Sequence, residues 1–403
     1  VRKRLHGIRA ILPERLRLTK DRQGALSLRI EGEALPQTAV LAVQFPRQIA
    51  PLHEQRSVTF PSSEDNAFTV DWPCTGTKRG LFRAGPVHME TVSPWKLWIV
   101  RGTLETYAEV RVYPNILHER KSLAALFLNR GNVGIHAQRQ VGKGRELERL
   151  REYAPGDLYE DVSWKATAKR GRPVSRVYQV ERTQEVYVLL DTSRLSAREV
   201  AFAPGDSESA AQPASVSQLE RFITCAMILG LVAERQGDLF SVAAFDDRIK
   251  AFIRARNGKN HYSACRDALY ALEPSWTNPD YGELFSFVRL RLRRRALLII
   301  LTNLDDPVLT EQFMRNIDML AGHHLLLVNM VQAPNVRPLF SGSPANDTND
   351  VYARLAGHIQ WQNLRELEAM LGKRGVRFAL LNHETMAAQV VSQYINVKQR
   401  QNL

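Results

Sequence analysis

Two patterns of apolar and polar positions divide the chain. Between residues 25 and 113 Leu26-Ser27-Leu28-Arg29-Ile30 alternates apolar with polar, and Val40–Val43, Ser57–Phe60, Ala67–Val70 and Glu109–Tyr113 are further strand-like runs. Period-two alternation puts successive side chains on opposite faces of a pleated strand. Pro, Gly and Ser clusters between the runs predict a small antiparallel β-sandwich over residues 25–114. From residue 183 to 403 the pattern changes. Val186–Leu190 is continuously apolar, as a strand covered on both faces must be, and similar runs lie near 239–245, 296–301, 324–330 and 376–381. Helical spacing falls between them, notably over 216–235 with Ser217 as its N-cap. Five buried strands alternating with helices predict an α/β fold, Rossmann-like, with a mostly parallel sheet.

The stretch 115–182 fits neither pattern and reads as a mixed connector. Glu146–Tyr153 has helical spacing, Ala154-Pro155-Gly156-Asp157 reads as a turn, and Asp161–Lys169 as a short second helix. Trp164, beside Ala residues of that helix, reads as packing of the connector onto the α/β domain. A functional alternative makes Arg151, Asp157, Trp164 and Lys165 a surface for a protein partner.

Composition narrows the class. At 403 residues, 44% hydrophobic and 24% charged, the chain is neither disordered nor fibrous. Three cysteines, at 74, 225 and 265, make neither a disulfide framework nor a zinc site. The net charge of +13 invites a nucleic-acid reading, but residues 1–30 hold nine Lys/Arg against Glu14 and Asp21. That segment carries +7 and leaves +6 for the other 373 residues. Such a cluster reads as a nucleic-acid arm, as a segment against an anionic leaflet beside a membrane helix, or as a frayed, solvated terminus; the resemblance given below implies the second, a juxtamembrane flank over residues 1–24. The longest mostly apolar run, Phe222–Ala233, has twelve residues, short of the roughly 18 a spanning helix needs. The basic run Arg289–Arg295 reads as a solvated helix end.

Catalytic signatures fail in turn. Gly142-Lys143-Gly144 is not followed by Ser or Thr, so it is no phosphate loop; no G-x-G-x-x-G follows the first buried strand. No H-E-x-x-H and no G-x-S-x-G are present. What remains is Asp191-Thr192-Ser193 at the C-terminal end of the first buried strand, the sheet edge where ligands of open α/β folds bind. Asp191 and Ser193 are oxygen donors suited to a hard cation, or an ordinary strand-ending turn.

The series Arg151-Glu152-Tyr153-Ala154-Pro155-Gly156-Asp157, then Trp164-Lys165-Ala166, then Leu189-Leu190-Asp191-Thr192-Ser193 resembles the family called domain of unknown function fifty-eight. The resemblance implies a von Willebrand factor A domain over residues 183–403. It implies membrane helices upstream of Val1, a soluble part on the cytoplasmic face of the membrane, and a MoxR-type AAA+ ATPase as partner. It also implies a divalent-cation loop set, D-x-S-x-S with a Thr and an Asp from two further loops. Asp191 and Ser193 match; Leu195 stands where the next Ser belongs; Thr277 aligns with the second loop; Asn303 replaces the Asp of the third. A neutral amide in place of a carboxylate weakens a hard dication site, so the expectation is no cofactor or weakly bound Mg²⁺. The expected function is that of a non-enzymatic, membrane-associated adaptor or chaperone cofactor with a degenerate metal site. A basic nucleic-acid-binding protein is the alternative, and a hydrolase using Ser193, which lacks a matched base, ranks below it.

Overall fold

The computed structural model describes residues 7–32, 35–60, 67–93, 97–116, 141–154, 159, 162–179, 184–201, 215–333, 335–341 and 347–399. Among the described residues, eleven strands precede residue 114: β1 (Arg9–Ile11), β2 (Arg15–Thr19), β3 (Gln23–Glu31), β4 (Thr38–Val43), β5 (Ile49–Pro51), β6 (Gln55–Thr59), β7 (Ala67–Gly76), β8 (Gly80–Ala84), β9 (Val87–Val92), β10 (Ile99–Leu104) and β11 (Ala108–Tyr113). They form sheets ordered β1-β3-β7-β5, β10-β9-β4-β6 and β2-β11-β8. Pairing is antiparallel throughout except for β2 with β11. Alternation does the folding work: Leu26, Leu28 and Ile30 of β3 turn inward, as do Val70, Trp72 and Cys74 of β7, closing one apolar core. The basic segment expected as a flank supplies two of these strands. Ile8, Leu12 and Leu18 are buried in the same core, while Arg9, Arg15 and Arg17 stay at least partly in solvent.

Next come β12 (Val141–Glu152), α1 (Trp164–Arg170) and β13 (Val174–Gln179). The helix expected over Glu146–Tyr153 is a strand instead. Residues 146–152 pair antiparallel with β13, and a β-rich partner overrides the helical preference of an Arg/Glu/Leu run. The short helix expected at Asp161–Lys169 is present as α1, closed by Gly171 in the left-handed region at φ 68°.

The remainder is the α/β unit: β14 (Glu185–Asp191), β15 (Glu199–Ala201), β16 (Ser215–Ser217), α2 (Gln218–Arg235), β17 (Leu239–Phe245), β18 (Ile249–Arg256), α3 (Lys259–Leu269), α4 (Tyr281–Arg291), β19 (Leu297–Leu301), α5 (Pro307–Asn316), α6 (Asp318–Ala321), β20 (Leu325–Val331), α7 (Thr348–Lys373), β21 (Arg377–Leu381) and α8 (Met386–Gln399). Six strands order as β18-β17-β14-β19-β20-β21. Five run parallel and β18 returns antiparallel at the edge. Successive residues of β14 serve opposite faces. Val186, Val188 and Leu190 join α2 and α8 in one core; Tyr187 and Leu189 join α4, α5 and α7 in the other. Ser217 caps α2 by accepting from Glu220 N at 3.4 Å, as its sequence position predicts.

The β region and the α/β unit touch through a built contact. Arg79, only 6% exposed, donates from Nη1 to the backbone oxygens of Tyr270 (3.1 Å) and Leu272 (2.6 Å) just beyond α3. Its Nε lies 2.5 Å from Oε2 of Glu220, and Lys20 reaches Oε1 of the same carboxylate at 3.4 Å. Tyr113 and Tyr270 add a ring contact with centroids 5.0 Å apart.

Candidate functional site

The C-terminal ends of the parallel strands carry three loops that meet. The first follows β14. Its run of five buried apolar residues ends at Asp191, fully buried, whose Oδ1 accepts from Ser193 N at 2.8 Å. Oδ2 accepts from the Thr302 hydroxyl at 2.6 Å, and the Tyr281 hydroxyl lies 2.9 Å from Thr302 Oγ1. Burial raises the Asp191 pKa; its hydrogen bonds from Ser193 and Thr302 oppose that, and the nearby Asp246 charge adds to it. Ser193 Oγ accepts from Leu195 N at 3.3 Å and caps a 3-10 turn over Arg194–Ala197. Leu195, in the place of a Ser, points its side chain into the apolar core with Ala243 and Leu304.

The second loop, Ser275 to Asn278, is stitched to the first. Ser275 donates its N–H to Thr192 O at 2.8 Å and its hydroxyl to Asp246 Oδ2 at 2.6 Å. Thr277 O accepts from Arg194 N at 3.0 Å, and the Thr277 hydroxyl lies 3.1 Å from Ser275 Oγ. Arg194 closes the contact with Nε to Asn278 Oδ1 at 2.5 Å. Asp246 itself is held ionised by Lys250 at 2.7 Å, which with the Ser275 hydroxyl outweighs the cost of its burial and lowers its pKa.

The third loop follows β19. Asn303 donates from Nδ2 to Leu195 O at 3.3 Å and to Gln218 Oε1, leaving its buried Oδ1 without a partner among the described residues. Asp305 pairs with Arg198, and Asp306 pairs with Arg194 at 3.5 Å while capping α5 through Val308 N at 3.0 Å.

The four residues singled out as a cation set, Asp191, Ser193, Thr277 and Asn303, thus lie on loops brought to one edge of the sheet. Asp191 and Asn303 face each other through Thr302 and the turn at Leu195; Thr277 is tied to the backbone of Arg194. Among the described residues there is no group of three or more His, Cys, Asp or Glu placed to hold a metal.

The connector candidates do not join this edge. Trp164 is 56% exposed and its ring meets Tyr159 edge-on at 5.3 Å, so it does not pack the connector onto the α/β unit. Val162 and Val174 are the apolar residues buried there, which leaves the indole outside. Lys165 is exposed beside it. Arg151 lies on β12 opposite Ser175, and Asp157 lies outside the described residues.

Sequence reasoning missed Trp276. It sits on the second loop at 88% exposure, flanked by the two residues that fasten the loop. A tryptophan between Ser and Thr, in a stretch without apolar periodicity, was the available signal. Among the described residues no helix is long and apolar enough to cross a membrane.

No curated protein matches the chain. Among solved structures, similarity extends to the conserved hypothetical protein BatB from Bacteroides thetaiotaomicron, at 14% identity and TM-score 0.34 over 54% of this chain and 99% of that one. An aerotolerance-related membrane protein from Bacteroides fragilis is similar at 13% identity and TM-score 0.32, over 53% and 98% of the two chains. The SpRpn10 VWA domain is similar at 8% identity and TM-score 0.30, over 52% and 95%. The model of the family described as "Protein of unknown function DUF58" matches residues 149–339, from the connector through the three loops.

Proposed function

We propose that the chain is a non-enzymatic, membrane-associated adaptor whose von Willebrand factor A-like unit docks a protein partner at its strand-end loops. The observation that carries this reading is the exposure of Trp276 on a loop whose backbone is pinned on both sides. A rigidly held, exposed tryptophan gives a partner a large contact at little cost in conformational entropy, and such residues dominate binding hot spots. Arg194, tied to the Trp276 loop through Thr277 and Asn278, also pairs with Asp306, and Arg198 pairs with Asp305, so the strand-end loops carry paired charges suited to a polar rim.

Contact by this edge is metal-independent. The donors do not fit a resident Mg²⁺: both oxygens of the single carboxylate, Asp191, already accept hydrogen bonds, and Asn303 spends its amide nitrogen on the first loop. Leu195 offers no side-chain oxygen, and the two nearby acids of the third loop are neutralised by arginines. The partner expected from the family resemblance is a MoxR-type AAA+ ATPase. The test is binding of a co-encoded ATPase of that type to the full chain, with and without EDTA. Binding unchanged by EDTA is expected. Strict EDTA sensitivity overturns metal independence, and no binding with either overturns the assignment of this partner.

A further inference from the structure

The opposite edge of the α/β sheet holds a feature that the strand-end loops do not account for. A cavity of about 720 Å³ opens at the N-terminal ends of β14 and β17, walled by the end of β18 and by the segment leaving α4. Its floor is apolar: Leu239, Phe252, Leu292 and the ring of Tyr187, with Phe252 stacked on Tyr187 at 6.3 Å between centroids. Its rim is cationic: Arg254, Arg291, Arg293 and Arg294. One acid lines it, Glu185, and that carboxylate already accepts from the Tyr187 hydroxyl at 3.2 Å. Arg291 lies over the Phe287 ring at 5.4 Å. Arg254, Arg293 and Arg294 have no ion-pair partner among the described residues, unlike the arginines of the strand-end loops.

A solvated helix end accounts for Arg289 and Arg291, which complement the C-terminal dipole of α4. It does not account for Arg293 and Arg294, which lie beyond the helix, nor for Arg254, which comes from another element. Bringing these side chains to one opening, with a single engaged acid between them, concentrates uncompensated positive charge over a low-dielectric floor, where field lines focus on an anion. The volume is that of a small-molecule site. Guanidinium forks match phosphate oxygens in pairs, and a phosphate group carries more negative charge in that space than one carboxylate. The leucines and Phe252 leave room for an organic body beside the anion.

We infer that this cavity binds a phosphate-bearing ligand, the phosphate seated among Arg254, Arg293 and Arg294. The site lies about 20 Å from Asp191, the length of β14, so it can be occupied together with the strand-end loops.

The full chain is titrated with pyrophosphate, with ATP, and with vesicles of phosphatidylglycerol against phosphatidylcholine, at about 0.15 M salt to screen loose charge attraction. Saturable binding of at least one phosphate probe is expected. Soluble probes identify a free phosphate compound, and phosphatidylglycerol alone identifies a lipid headgroup. The triple variant Arg254→Glu, Arg293→Glu, Arg294→Glu loses at least about tenfold in affinity, because it removes every free fork. The control triple Arg22→Glu, Lys259→Glu, Lys373→Glu, with the same change in net charge at exposed sites elsewhere, binds as the parent does. Thermal unfolding verifies both folds, with Gln in place of Glu should the reversal disturb folding. No saturable binding of any probe, or equal loss in the control, overturns the assignment.

Discussion

Arg79, in the turn between β7 and β8, places its guanidinium against the Glu220 carboxylate in the first turn of α2, 141 residues away in sequence. The pair is nearly sealed from water, and Nη1 of Arg79 donates to the carbonyl oxygens of Tyr270 and Leu272 beyond α3. The end of a helix exposes carbonyls without intrahelical partners, and a buried arginine satisfies several at once. Arg79 thereby ties two separately cored regions together, beside Lys20 on the same carboxylate and the Tyr113–Tyr270 ring contact.

Arg79→Ala therefore leaves a buried carboxylate with Lys20 as its remaining partner and uncaps the α3 end. The expected cost is about 3 kcal/mol, the range for breaking a buried pair from one side. Chemical denaturation followed by probes in each region reads it. In the variant the β region and the α/β unit are expected to unfold in separate transitions. A double change, Arg79→Met with Glu220→Gln, is expected to cost less than the sum of the singles.

Asp191 sets a pH dependence. Burial raises its folded pKa above the unfolded value of 3.8. The folded state then holds its proton more tightly than the unfolded state, so this group's contribution to stability falls as pH rises from about 4 through the folded pKa and is level above it. Asp191→Asn removes that slope and keeps an oxygen for Ser193 N, at a cost within about 1 kcal/mol. Asp191→Ala strands the Ser193 N–H and the Thr302 hydroxyl, at about 2 kcal/mol. Denaturant midpoints between pH 4 and 8 for the three proteins measure it.

Trp276→Ala separates binding from folding. The side chain is exposed, so the unfolding midpoint is expected to move by no more than about 0.5 kcal/mol in equivalent stability. Affinity for the strand-end partner is expected to fall by at least about tenfold. Arg194→Ala is the complementary variant, since it loosens the loop without removing the tryptophan.

Gly357 lies inside α7, where an exposed helix position gains up to about 1 kcal/mol on exchange of Gly for Ala. Here the sign reverses. A Cβ at 357 would stand 2.0 Å from the carbonyl oxygen of Asn335, a backbone atom with no rotamer to yield. Gly357→Ala is expected to lower stability by more than 1 kcal/mol, against the propensity scale, as read by thermal melting.

Much of the α/β unit was legible along the chain. Val186–Leu190 and the four later apolar runs became strands because a strand covered on both faces admits nothing else, and Ser217 marked the start of α2. β9 was missed although Val87, Met89 and Thr91 alternate inward, because Thr91 is a polar residue that only the fold buries. The run at 146–152 misled because its composition favours a helix while its partner strand supplied a ladder.

By itself the sequence determined the five parallel strands of the α/β unit, the residues at the strand ends, the substitutions Leu195 and Asn303 in the loop set, and the concentration of charge near the start. Those are local properties, set by spacing and residue type. Tertiary structure alone decided that the basic start folds into the β region, that Trp164 stands outside while Arg79 is enclosed, and that Trp276 tops a pinned loop. It alone gathered Arg254 with Arg293 and Arg294. Each depends on which distant segment covers a side chain, and burial by a distant segment leaves no trace in local periodicity.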